Sequence, residues 1–304
     1  MNATAKIPAL GIDRADISSC IFIVTGNDTV SIKAGTVITV ASIAHAFESE
    51  TPIDIVEAVP GYDYGVFIAA DGKPRADRLI TMQNDGAIFG GFHFAPSGNA
   101  LARIGGDGVP AINPFSCWDL GFRPACPDPR GMALVDGRFW ADIYLLGIDH
   151  LTDGTSRFGQ IIADGRSLPV RIDGEGRTKK LDYATAVEIY AHHGKGLLGA
   201  EEFFAAAYGV TERTSREEEP ETTGDVSADG KKFVSRWGLF DVTGTMWQWG
   251  TDGDPDNPRA SFFGGSWLDG SGAGSRCAGL VYWPEDSAGS VSARGRSDHL
   301  KPAA

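Results

Sequence analysis

From Ile21 to Val40 the chain reads IFIVTGNDTVSIKAGTVITV, with β-branched residues alternating with polar ones. A period of two sends one set of side chains to a buried face and the other to water, so the run predicts strands. Its interruptions, GND and KAG, carry turn chemistry and predict hairpins. The alternation returns in YDYGVFIAADGKPRAD, where Asp71-Gly72 separates an apolar run from a polar one, as a tight hairpin turn requires. Residues 1–108 are therefore expected to form a small all-β, sandwich-like domain. The Gly- and Pro-bearing stretch IGGDGVPAINP, residues 104–114, sets the boundary near Gly108.

Beyond that point the periodicity changes. FWADIYLLGI, from Phe139 to Ile148, predicts a buried strand. DYATAVEIYAHHG predicts a helix with Ala184, Val187 and Ala191 at helical spacing, capped by Asp182 at its start and Gly194 at its end. A second helix is expected from Ala200 to Tyr208, with acidic residues in the first turn, where the helix dipole favours them. SREEEPETTGDVSADGKK, residues 215–232, has almost no apolar position and predicts an exposed, mobile loop. The last 70 residues scatter four Trp among Gly and Ser, which predicts short strands and ordered loops. Residues 109–304 are thus expected to be an α+β domain, and the whole chain α+β.

Composition alters this picture in two places. Forty Gly in 304 residues is nearly twice the usual share of about 7% and adds weight to turns and short strands. The 27 Lys and Arg against 40 Asp and Glu give a net charge of -13, which repels phosphate backbones and argues against a nucleic-acid partner. No stretch approaches the run of about 20 apolar residues that membrane insertion requires. The opening MNATAKIPALGIDRAD lacks the apolar run of a signal peptide, so synthesis in the cytoplasm is expected. Cys20, Cys117, Cys126 and Cys277 show no paired spacing and are expected to be free thiols.

Candidate chemistry is sparse. His192 and His193 are adjacent, whereas a helical metal pair needs i,i+4 spacing, so a C-terminal capping role is favoured. Ser297, Asp298 and His299 are sequence neighbours that would not converge on one reacting atom, and no GxSxG elbow exists. Asp149, His150 and Asp153 lack the further carboxylates of a calcium loop and predict a turn. Cys277 beside Arg276 reads as a small packed thiol rather than a reactive one. What stands out is Gly264 to Ser292, where small polar residues alternate with Trp, Tyr and Leu, a mixture suited to a recognition surface.

The strings WGLFDVTGTMWQWG, GGSW, GSRCA and SARGRSDHL resemble the C-type-lectin-like domain shared by formylglycine-generating enzymes and the variable proteins of diversity-generating retroelements. Within that family the phage receptor-binding members are the most similar. TGNDTVSIKAGT, GGFHFAPSGNA, FRPACPDPRGM, FWADIYLLGIDHLTDGTS and HHGKGL extend the likeness, in order, over nearly the whole chain. The resemblance implies a C-terminal C-type-lectin-like domain preceded by the all-β domain. It also implies a homotrimer at a virion tail-fibre tip that binds a host cell-surface protein or other surface receptor, with placement on a bacterial surface as the alternative. Those phage members carry an additional N-terminal β-prism that helps join three subunits, and this chain is expected to begin inside the sandwich that follows it.

The same resemblance implies diversified receptor-binding positions within about 264–292, namely Ser266, Leu268, Asp269, Gly272, Gly279, Val281, Tyr282, Asp286, Ala288 and Ser290. Retroelement mutagenesis alters adenines, so an AAC or AAT codon cannot become Trp, Gln, Lys, Glu or Met, and none of these five stands at the ten positions. Gly264, Gly265, Trp267, Gly274, Ser275, Arg276, Ala278, Pro284, Arg294 and Gly295 match the family's fixed scaffold, with Arg276 and Arg294 expected to bond carbonyls. Exposed substitutions usually change stability by no more than about 0.5 kcal/mol, so variation is expected to stay on the outside. The competing class is the copper-dependent oxidase, which holds its metal with two cysteines; Cys277 matches one place and Gly272 the other, and one thiol makes no pair. A calcium-dependent sugar-binding lectin is a third class, but only Pro284-Glu285-Asp286 stands near its ligand motif. No catalytic residue, metal or cofactor is expected.

Overall fold

A computed structural model describes residues 10–80, 87–252 and 260–300. The described residues are mostly β, with few helices. In the first part, strands Leu10–Asp13, Thr36–Val40 and Ile43–Phe47 form one antiparallel sheet, and Phe22–Val24, Val30–Ile32 and Thr51–Pro52 form another. A larger sheet is built on Tyr62–Ile68 and Gly90–Ala95, paired antiparallel from Gly90↔Val66 to Phe94↔Tyr62. Ile32, Ile38, Tyr64, Val66, Phe89 and Phe92 from these sheets meet in one buried cluster.

Hairpins form at GND, joining Phe22–Val24 to Val30–Ile32, and at Asp71-Gly72, where Gly72 has φ +80°. KAG does something else. Gly35, at φ +79°, carries the chain from one sheet to the next, because Thr36–Val40 pairs with Ile43–Phe47 and not with Val30–Ile32. The apolar positions on both sides of KAG alternate correctly for strands, but alternation does not say which strand is the partner. Strand pairing also continues past Gly108, since Ala111–Ile112 and Trp118–Asp119 both pair with Gly90–Ala95.

The second part holds two four-stranded sheets. One has the order Met132–Val135, Phe139–Asp142, Gly295–Asp298, Gly196–Leu197; the other has Ala278–Tyr282, Ala260–Phe263, Trp247–Gly250, Val291–Ala293. The strand expected from Phe139 to Ile148 stops at Asp142, although every residue from Phe139 to Leu146 is buried. A continuously buried run satisfies burial without demanding ladder pairing along its whole length.

The helix Tyr183–His192 starts where Asp182 accepts a hydrogen bond from the Thr185 amide, and it is followed by Gly194 at φ +69°. Its inward face differs from the expected one. Ala186, Ile189 and Tyr190 are buried, while Ala184, Val187 and Ala191 are exposed, because the bulkier Ile and Tyr define the stripe that gains most from burial. The second helix spans Ala200–Ala206, ending before Tyr208.

The acidic run is not a free loop. Arg216 is buried and donates to Asp225, Asp241 and Thr245, which pins the segment to the core while Glu217, Glu218 and Glu219 stay exposed. An arginine set before three glutamates was the available sign. His150 and Asp153 lie in a one-turn helix, His150–Asp153, with Asp149 at its N-cap position, rather than in an open turn.

Candidate functional site

The two sheets of the second part meet at Arg294. It is the single residue between the strands Val291–Ala293 and Gly295–Asp298, which belong to different sheets. Its side chain is 0% exposed and donates to the carbonyls of Asp142, Ile143 and Phe240 and to Gln248 Oε1, at 2.5–2.9 Å. Burial pulls the guanidinium down to about 10, so it stays charged at neutral pH and fixes three separate chain segments. The expected role of Arg294 in bonding carbonyls is present here. Arg276 is different: it is exposed and holds no carbonyl among the described residues, because the 274–277 turn is closed by other groups.

Those groups are mostly main chain. Gly264 donates to the Cys277 carbonyl, Gly274 donates to the Gly264 carbonyl, and Trp267 donates to the Thr245 carbonyl. Ser275 donates through both amide and hydroxyl to Glu212, and Ser215 Oγ donates to the Trp267 carbonyl while accepting from the Gly270 amide. The partly buried Trp267 ring packs on Leu145, Ile162 and Met246. Downstream, the carbonyls of Pro284, Ala288 and Ser290 accept from the amides of Tyr183, Gly165 and Trp247, and Ser287 Oγ accepts from Leu181. Backbone at 288 and 290 makes these bonds whatever side chain it carries.

The ten positions from the sequence fall into distinct settings. Leu268 is 65% exposed, and Gly272, Asp286 and Ala288 are also exposed. Asp269, Gly279 and Ser290 are half-buried. Tyr282 is 38% exposed, but its ring lies against Phe262 with centroids 4.0 Å apart, so it is both surface and wall. The side chain of Val281 lies outside the described residues. Ser266 does not face outward: it is 1% exposed, and its amide and hydroxyl both donate to Asp269 Oδ2, at 2.7 and 2.6 Å. A hydroxyl two residues before an exposed Leu closes the turn from inside, which alternation alone does not foretell.

Glycines separate into two kinds. Gly264 and Gly265 have φ +92° and +78°, and a Cβ there would meet the Val242 carbonyl oxygen at 2.8 Å and Ala273 Cβ at 2.7 Å. A Cβ on Gly274 would meet Glu212 Oε2 at 2.5 Å. At Gly279 a Cβ meets nothing within 4 Å, and at Gly272 only Asp269 Cβ at 4.0 Å, with neither residue in the positive-φ region. Side chains are excluded at the first three positions and free to enter at the other two.

Five of the ten positions, Gly279, Tyr282, Asp286, Ala288 and Ser290, line one pocket of about 290 Å³ together with Trp247, Phe262 and Val291. The last three escaped the sequence reading, although the aromatic cluster in TMWQWG was a sign of Trp247. Phe262 lies one strand away from Tyr282 and is brought to it only by the antiparallel pairing of Ala260–Phe263 with Ala278–Tyr282.

The other candidate groups do not assemble into a reaction centre. Burial, with Asp269 adding to it, pushes the Cys277 thiol up, opposite to the activation of a nucleophile. His299 accepts at Nδ1 from Trp140 Nε1 and makes no bond to Ser297. His193 follows the last helical residue as its C-cap, and its Nε2 lies 2.9 Å from His150 Nδ1.

Comparison with known proteins bears on this geometry. Residues 20–119 match the family model described as Mtd second domain. The chain is 39% identical over 320 residues to a protein of Bordetella phage BPP-1 named Tail fiber receptor-binding protein, covering 94% of this chain and 84% of that one. Among solved structures, the Major Tropism Determinant U1 and I1 variants each superpose with a TM-score of 0.90 at 38% identity, over 95% of this chain and 86% of theirs.

Proposed function

This chain belongs to the major tropism determinant family of phage tail-fibre receptor-binding proteins, and from that membership we propose where and how it meets its receptor. It is a receptor-binding component of a phage virion. Its C-terminal part is a C-type-lectin-like domain that follows an all-β domain, and contact is made by a retroelement-diversified face carrying Leu268, Asp269, Gly272, Gly279, Val281, Tyr282, Asp286, Ala288 and Ser290. Ser266 belongs to the frame beneath it. The partner is a host cell-surface protein or other surface receptor, and the chain works as a homotrimer at the fibre tip. The Bordetella phage relative is named a receptor-binding protein, and the oxidase alternative gains no second thiol near Cys277.

The observation that carries this reading is the division among glycines. Where the frame turns, a side chain would strike backbone or a neighbouring side chain; at Gly272 and Gly279 it would enter open space. A surface built to accept many residues needs both kinds, the first to hold its shape and the second to vary.

The test is adsorption of the purified chain to receptor-bearing host cells. Leu268→Ala combined with Asp286→Ala should abolish adsorption while the melting temperature moves by less than about 2 °C, since both side chains are exposed. Unchanged adsorption would remove the proposed face, and a fall in melting temperature of more than about 5 °C would remove the division between frame and face.

A further inference from the structure

Four large apolar side chains stand open to water between positions 268 and 283. Leu268 is on the loop joining the strands Ala260–Phe263 and Ala278–Tyr282, Leu280 and Tyr282 are on the second of these strands, and Trp283 follows it. Leu280 is 49% exposed and Trp283 61%. Exposed apolar residues scattered singly need no explanation, but this density on one strand and its loop does. Trp283 is also the only exposed tryptophan, since the other six, all among the described residues, are buried or half-buried. Neither Leu280 nor Trp283 is one of the ten positions read from the sequence, and neither lines the pocket of Gly279 and Tyr282.

The strand is shaped to present Leu280. Ala278 pairs with Phe263 and Gly279 with Phe262, but the next pair is Tyr282 with Ala260. Positions 280 and 281 therefore stand together opposite Ser261, one residue in excess on an outer strand. Such a bulge breaks the ladder and re-aims side chains. Ser261, Phe262 and Phe263 on the partner strand are buried, whereas Leu280 keeps about half of its surface in water. Folding leaves that surface bare, and only a binding partner covers it.

Trp283 also differs in origin from its neighbours. An AAC or AAT codon altered at its adenines cannot become Trp, so Trp283 is not a product of that route, although it stands between the changeable positions Tyr282 and Asp286. Its ring stays while the side chains around it are replaced.

The chemistry of the patch says what covers it. Leu has no hydrogen-bonding atom, and a sugar surface pressed against it would lose water from its hydroxyls without replacement. Glu285 and Asp286 are exposed close to Trp283 and the chain carries a net charge of -13, so acidic glycans and phosphate-rich head groups are repelled. An apolar patch on a protein meets neither obstacle. Trp is also among the residue types most enriched where a few side chains carry most of the energy of a protein–protein contact.

We infer that Leu280 and Trp283 are constant anchors of the receptor contact, seated on an apolar patch of a host surface protein, while the changeable positions around them set which patch is accepted. The inference rests on the reading of this face as the receptor-contacting one. The anchors supply affinity common to every version of the face, and the rim supplies discrimination. A replaced rim then starts from a basal contact and not from none.

Adsorption of the purified chain to receptor-bearing host cells, followed as the concentration giving half-saturation, tests the anchors. Trp283→Ala should weaken it at least about tenfold and Leu280→Thr at least about threefold, with Trp283→Phe recovering part of the loss. The melting temperature should stay within about 5 °C of the native value in all three, and a larger fall would make these packing residues and overturn the inference. A loss of less than about tenfold for Trp283→Ala overturns it as well. If Leu268→Ala combined with Asp286→Ala still abolishes adsorption in that case, the face stands without its anchors. Protease treatment of the host cells should abolish adsorption and periodate oxidation of their glycans should not. Adsorption that survives protease or is lost to periodate would overturn the apolar protein partner.

Discussion

Arg294→Ala is the severest single test of the proposed frame. The native guanidinium satisfies three buried carbonyls, of Asp142, Ile143 and Phe240, and Gln248 Oε1. Each buried acceptor left bare costs about 1–3 kcal/mol. The four share one donor group and do not add independently, and an alanine leaves a void besides. Against this, the guanidinium itself is costly to bury, as its fall to about 10 reports, and removing it recovers part of that cost. The net loss expected is about 3–5 kcal/mol, a large share of the roughly 5–15 kcal/mol that holds a protein folded. At about 2–4 °C per kcal/mol, the melting temperature should fall by about 6–20 °C. Scanning calorimetry measures it directly, and Arg294→Lys should recover only part of the loss, because an ammonium cannot present the planar fork that reaches four acceptors. A melting temperature for Arg294→Ala within about 2 °C of the native value would refute the claim that this side chain locks the two sheets together.

Three further outcomes follow from the same coordinates. Gly264→Ala should cost more than about 2 kcal/mol, because a Cβ at φ +92° meets a carbonyl oxygen at 2.8 Å, whereas Gly279→Ser should be neutral within about 0.5 kcal/mol; denaturant midpoints compare them. Burial, reinforced by neighbouring cations and by His150, holds the His193 imidazole down to about 4, so the unfolded chain binds the proton more readily. Stability should therefore be full above about pH 6.5 and decline as the pH falls toward 4, and His193→Gln should flatten that decline in melting temperature against pH. Lys195→Met strips the partner from the buried Asp142 and should cost about 3–5 kcal/mol, with Asp142→Asn in the same chain recovering part of it in a double-mutant cycle.

Local signals in the sequence were legible because their causes are local. The Asp182 cap, Gly194 after the helix and the Asp71-Gly72 turn each depend on a few adjacent residues, and each stands where its chemistry predicts. What escaped depends on partners far along the chain. KAG looks like a hairpin turn, but the strand that pairs with Thr36–Val40 is chosen by the packing of whole sheets. Arg276 and Arg294 look alike as scaffold arginines, yet only Arg294 sits at the one-residue crossing between two sheets, where carbonyls from positions 142, 143 and 240 converge. The binding-face positions came from the family resemblance, and no periodicity could have supplied Trp247 and Phe262 as their floor, since these come from neighbouring strands. Ser266 shows the limit of that resemblance, because being near a variable surface does not mean pointing toward it.

Three positions of the proposed face, Gly279, Val281 and Tyr282, lie on an outer strand, and that placement has a physical rationale of its own. Ala278–Tyr282 is one of the two outer strands of its sheet among the described residues, so one of its edges carries no partner and tolerates change that a central strand would not. An open edge is also a template for unwanted pairing between copies. The register shift between Ala260 and Phe262 disturbs the ladder at this place, and such irregularities twist an edge away from flat pairing. The nine proposed positions would make a smaller contact than the roughly 20–30 residues a side of a standard interface, so each copy is expected to bind modestly. In the proposed homotrimer, linked copies would raise apparent affinity by about 10² to 10⁴ without any new contact. Under the proposed diversification, weak rims would then remain functional while being replaced, provided the glycines, Arg294 and the main-chain bonds beneath them stay fixed.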